Sequence, residues 1–66
     1  MTTVQGLCVG DIVTLRGEDG EWLVESIIRN DREQQIVYYN EETGDFIQMD
    51  IPEALAKLDV VLRKGE

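Results

Sequence analysis

Apolar and polar positions alternate over short stretches of this 66-residue chain, and turn-forming residues break the pattern at close intervals. The turn signals are Gly10-Asp11, Gly17-Glu18-Asp19-Gly20, Asn30-Asp31 and Glu42-Thr43-Gly44-Asp45. Short runs of β-branched and aromatic residues between such signals predict an all-β sandwich or barrel. In DIVTLR (11–16) the two-residue period puts Val13 and Leu15 on one face, with Ile12 and Thr14 on the other. In EWLVESIIR (21–29) Trp22 and Val24 share a face, but strict alternation would turn Ser26 inward and Ile27 outward. A bulge at Glu25-Ser26 returns Ile27 to the core side and bends the strand.

The third run, QIVYYN (35–40), separates Val37 and Tyr39 from Ile36 and Tyr38. Trp22 and Tyr39 are assigned to the core, which leaves Tyr38 outward. The fourth run, DFIQMDI (45–51), sends Ile47, Met49 and Ile51 inward and Phe46, Gln48 and Asp50 outward. The short EETG segment joins these two runs as a hairpin, with Gly44 free to take the positive φ such loops need.

Pro52 then opens a helical turn, PEALAKL. Its missing N–H would have no partner in a first turn, and its φ is already helical. Asp50 and Glu53 place negative charge near the helix N-terminus. Leu55 and Leu58 share a side with Ile51. Seven residues are too few for an independent helix, so this one must pack against something. It is expected to plug one end of a barrel through Leu55. DVVLRK (59–64) follows as a fifth strand, with Val60 and Leu62 inward.

The predicted fold is all-β: a five-stranded SH3-like barrel with a short helical turn between strands four and five. Residues 1–8 form an N-terminal arm and residues 9–64 the barrel. In that topology strands one and five pair antiparallel. Asp11 would then face the Arg63-Lys64 end and Arg16 would face Asp59, both favourable pairings.

VGDIVTL (9–15) resembles the glycine-acid-hydrophobic opening of many bacterial SH3-like domains, including those called Tudor-like or KOW-like. From VGDIVTL through EWLVESI and IVYYNEETGDF to IPEAL, residues 9–58 are similar to the small YodC-like bacterial proteins. The resemblance implies a small barrel closing on a proline-led turn, and no catalytic residues. It departs from signalling SH3 domains, because residues 11–20 contain no aromatic where an ALYDY-type motif would lie. That argues against a groove for proline-rich peptides.

Charge and composition narrow the functional classes. Fourteen acidic against six basic residues give a formal net charge of −8. Nucleic-acid affinity draws on Lys and Arg displacing counterions from phosphate, so direct binding is disfavoured. A basic protein partner, or a second copy of the chain, fits better. A nucleic-acid-associated accessory role would work either through the Arg16, Arg63 and Lys64 spot or by contacting a basic nucleic-acid-binding protein. The N-terminal segment lacks a cationic region and a long apolar run, and no stretch reaches the roughly 20 apolar residues of a membrane helix. With Cys8 as the single cysteine, a reducing, cytoplasmic setting is expected. Cys8 reads as small apolar filler rather than a reactive thiol, having no adjacent cation.

The chain has no histidine, which removes His-based triads and most zinc sites. The carboxylates of GEDGE (17–21) and NEETGD (40–45) do not follow the EF-hand order, so no metal or other cofactor is assigned. A barrel of this size fills its interior with side chains and leaves no cleft for paired carboxylates to act in. The expected function is a non-enzymatic protein-interaction module, self-associating or binding a basic protein. The nucleic-acid-associated accessory domain is the alternative, and a small-ligand binder a third reading. The interaction residues expected are Tyr38 and Phe46, as neighbouring outward aromatics, with Glu41, Glu42 and Asp45 steering the partner together with Glu18, Asp19 and Glu21. The competing reading of Tyr38 and Phe46 is a cross-strand pair covered by a loop or the N-terminal arm.

Overall fold

A computed structural model describes residues 3–4 and 6–65. The elements run β1 (Thr3–Val4), β2 (Leu7–Cys8), β3 (Ile12–Leu15), β4 (Glu18–Arg29), β5 (Gln34–Tyr39), β6 (Phe46–Asp50), α1 (Ile51–Lys57) and β7 (Leu58–Arg63). Strands β3 to β7 form one antiparallel sheet in the order β6-β5-β4-β3-β7, and β1 pairs with β2 as a separate ribbon. The expected pairing of the first and last sheet strands is present, in β3 against β7.

The sheet is open, which corrects the expected barrel. Among the described residues no ladder joins β6 to β7. Their connection is α1, which packs against β5 and β6 and buries Ile51 and Ala54.

The core forms on one face, from Val13 and Leu15 of β3, Trp22 and Val24 of β4, Ile36 and Tyr38 of β5, and Met49 of β6. Leu7 from the N-terminal ribbon and Ile51 and Ala54 from α1 cap it. The bulge in β4 falls as expected. Pairing with β5 shifts register between Val24 and Ser26, and Ile27 then packs against the core. The β3–β4 turn is tighter than expected. Leu15 pairs with Glu18, so Arg16 and Gly17 make the turn while Glu18, Asp19 and Gly20 already belong to β4.

Two inward assignments, Val60 and Leu62, fail at the open side of the sheet. Val60 and Leu62 are each 48% exposed, and Val61 is 39% exposed. Register shifts against β3 break the regular alternation of β7, and with no neighbour beyond it an edge strand has nothing to cover it. Arg16 also misses Asp59, since its N–H donates to the Lys57 carbonyl at 2.7 Å.

Helix α1 begins at Ile51 with Pro52 in its first turn and ends where Leu58 becomes extended, its N–H still bonded to the Ala54 carbonyl. Glu53 and Lys57 pair across one turn at 3.5 Å, an exposed pair worth only about 0.3–0.5 kcal/mol. Packing therefore holds the helix. Its contact point is Ala54, fully buried, rather than the expected plug Leu55, which is half-buried against the core. A methyl side chain lets the helix backbone approach the sheet closely, and Leu55 then fills the flank. Ala54→Leu should accordingly lower stability by about 1–3 kcal/mol through overpacking. Leu55→Ala should cost less than the 2–5 kcal/mol typical of a fully buried leucine. Urea midpoints for both variants check this, and an Ala54→Leu midpoint equal to wild type, or a Leu55→Ala loss within the roughly 2–5 kcal/mol range of a fully buried leucine, would contradict it.

Candidate binding groove

The face of the sheet opposite the core carries a row of apolar residues across β3, β4, β5 and β6, with Arg63 of β7 at its end. Cross-strand pairing places Arg63 opposite Ile12, Ile12 opposite Leu23, Leu23 opposite Tyr39, and Tyr39 opposite Phe46. Opposite residues on paired strands point to the same face, so these side chains stand side by side. Ile12, Leu23 and Tyr39 are half-buried, and Phe46 is 62% exposed. The Tyr39 and Phe46 rings lie 4.6 Å apart at 37°.

A groove of about 400 Å³ is floored by Ile12, Leu23 and Tyr39, with Leu62 as an apolar wall. Glu21, Glu41 and Glu42 stand along it, opposed by the single guanidinium of Arg63. The loop bearing two of these acids is held by Asn40. Its buried side-chain oxygen accepts from the N–H groups of Glu42 at 2.9 Å and Thr43 at 3.2 Å. The Asn40 N–H donates to the Asp45 carbonyl, and Gly44, at φ 78°, donates back to the Asn40 carbonyl. Side-chain amides suit this task because they imitate a backbone turn.

Of the expected interaction residues, Glu41 and Glu42 line the groove and Phe46 adjoins it. Asp45 is exposed but is not part of its lining. Tyr38 is corrected: it is fully buried, and Tyr39 takes the outward place beside Phe46. The signal for this was in the hairpin itself. With Ile47 and Met49 inward, the ladder that pairs Tyr38 with Ile47 and Ile36 with Met49 must turn Tyr38 inward as well.

A second polar cluster lies inside the protein. Asp11 is fully buried, and its carboxylate accepts from four donors. These are the Cys8 N–H at 3.0 Å, the Cys8 thiol at 3.3 Å, the Lys64 ammonium at 2.7 Å and the Gly65 N–H at 2.6 Å. Lys64 also donates to the Gly6 carbonyl. Burial pushes the Asp11 carboxyl up, but the donors from Lys64, Gly65 and Cys8 outweigh it and hold the group down at about 2. The hydrogen bond to Asp11, then burial, pushes the Cys8 thiol up. Cys8 is therefore a thiol donor within a structural cluster and is poorly suited to act as a nucleophile. Gly65 fits because a Cβ there would lie 2.5 Å from the Gly10 carbonyl carbon.

Among the described residues no three Asp, Glu or Cys side chains gather as a metal-binding group, and no helix is long and apolar enough to cross a membrane. No protein-family model matches the chain, and neither a curated protein nor a solved structure shows significant similarity to it.

Proposed function

We propose that this chain is a non-enzymatic interaction module with an SH3-like strand order, and that its groove receives a basic, partly apolar segment of a partner protein. The SH3-like reading is supported by the last strand lying beside the first and by a helical turn before that last strand. The functional reading is carried by one observation: an apolar floor of Ile12, Leu23 and Tyr39 bordered by three carboxylates against one guanidinium. Such a site matches the stem of a Lys or Arg side chain with its apolar length and cationic end. The nucleic-acid alternative is less favoured in its direct form, because Lys64 of the Arg16, Arg63 and Lys64 spot is paired with Asp11.

Titration of the isotope-labelled protein with short peptides tests this, using Lys- or Arg-containing peptides with apolar flanks and their Glu-containing counterparts. Only the basic peptides should shift the signals of Ile12, Leu23 and Tyr39. Replacing Glu21, Glu41 and Glu42 together with Gln should abolish most of the binding, and raising salt should slow association more than it speeds dissociation. Equal response to acidic peptides, or shifts confined to another face, would refute the reading. So would binding of generic DNA or RNA at the same residues.

A further inference from the structure

Strand β7 is an edge whose sequence is complementary to itself. Its residues Asp59-Val60-Val61-Leu62-Arg63 lie beside β3 on one side, and among the described residues no strand pairs with the other side. Three consecutive apolar residues on this edge are 39–48% exposed. Edge strands are ordinarily protected by charge, proline or covering segments, since their free N–H and C=O groups template pairing with another chain. Here the protection is missing from the middle of the strand and appears only at its ends.

Those ends carry opposite charges at matched distances from Val61. If a second copy of β7 runs antiparallel about a two-fold axis at Val61, Asp59 of each copy faces Arg63 of the other. Val60 faces Leu62, and Val61 faces its own equivalent. Every position then meets a suitable neighbour, as an isologous interface requires. Among the described residues neither Asp59 nor Arg63 forms an ion pair within its own chain, so both charges are available.

We infer that the protein forms a two-fold symmetric dimer through antiparallel pairing of β7 with β7 of a second copy, joining the two five-stranded sheets into one. This contact rests on the strand edge, and it shares Leu62 and Arg63 with the wall of the groove. It buries less than a standard protein interface, and each copy carries a net charge of −8, so the dimer is concentration-dependent and strengthens from low to moderate salt.

Sedimentation equilibrium combined with charge exchange tests the register. For the wild type, the average mass should rise from one chain toward two with concentration. D59R places like charges opposite each other at both ends and should weaken the dimer about tenfold or more. The double variant D59R/R63D restores opposite charges and should recover the affinity. A mixture of D59R with R63D should form the heterodimer in preference to either homodimer. Far-ultraviolet circular dichroism confirms that each variant is folded, as expected for changes at exposed positions. A mass fixed at one chain up to the solubility limit overturns the inference. A dimer indifferent to D59R, or one that D59R/R63D fails to restore, overturns it equally by placing the contact elsewhere.

Discussion

Asp11→Ala should remove a large share of the protein's stability, about 3–5 kcal/mol. The substitution removes the acceptor for two backbone N–H groups, one thiol and one ammonium, all converging on a site with no solvent access. Breaking such a buried charge cluster by deleting one member typically costs about 3–5 kcal/mol. A chain of this length has a total stability of only about 3–10 kcal/mol. Thermal unfolding monitored at Trp22 measures the loss. Asp11→Asn keeps the shape and one acceptor oxygen, so it should fall between wild type and Ala. A melting temperature within a few degrees of wild type for the Ala variant would show that the cluster does not hold the ends of the chain.

The same carboxylate sets an acid limit. Its pKa falls from the ordinary 3.8 to about 2 on folding, so it binds its proton less tightly in the folded state. Its contribution is fully present above pH 3.8 and is lost as pH falls through about 2. The shift corresponds to roughly 2 kcal/mol, reduced by solvent screening at the half-exposed Lys64. Lys64 acts in the opposite direction. Its hydrogen bond to Asp11 raises its pKa above 10.5, so its contribution is complete below that value and lost at higher pH. Asp11→Asn should therefore flatten the acid side of the stability profile.

The local pattern revealed those parts of the fold whose signals sit close together in the chain. Pro52 between two strand patterns located α1, and the parity of Trp22, Val24, Ser26 and Ile27 located the bulge. Opposite charges correctly brought Asp11 to the Lys64 end. That pairing said nothing of burial. An aspartate beside a turn glycine reads as solvated, and only the approach of Leu7-Cys8 and Gly65 encloses it. The open edge was hidden for a similar reason, because alternation in β7 assumes a neighbour on both sides. For the groove, Glu41 and Glu42 were readable as loop acids and Phe46 as an outward aromatic. Ile12, Leu23 and Leu62 were not, since each is an ordinary strand residue until five strands align it with the others. The GD pair within VGDIVTL has a structural explanation in this protein: Gly10 takes a φ of 97°, and Asp11 anchors Gly65, whose missing Cβ lets it lie against the Gly10 backbone.

Tyr38 gives the sharpest test of inward and outward faces, because its two truncations should move stability in opposite directions. QIVYYN offers apolar or aromatic side chains at four successive positions, so alternation alone cannot choose its buried pair. The structure buries Ile36 and Tyr38 completely. Tyr38→Ala should then cost about 3–5 kcal/mol, as expected for a large aromatic removed from a core. The phenolic hydroxyl, however, has no hydrogen-bond partner among the described residues. A buried hydroxyl without a partner carries its desolvation penalty uncompensated. Tyr38→Phe should therefore be neutral or stabilising by up to about 1 kcal/mol. Burial also pushes the hydroxyl pKa from 10.0 up to about 12, so the folded state holds this proton more tightly than the unfolded chain does. The associated stability is intact below pH 10 and lost as pH rises through about 12. Tyr38→Phe removes this contribution and should unfold less readily than wild type in that alkaline window, while both retain the Lys64 titration. Urea titrations at pH 7 and near pH 11 measure both effects. A Phe variant weaker than wild type by more than about 1 kcal/mol at pH 7 would mean that the hydroxyl has a partner. An Ala variant with an unchanged midpoint would return Tyr38 to the outer face.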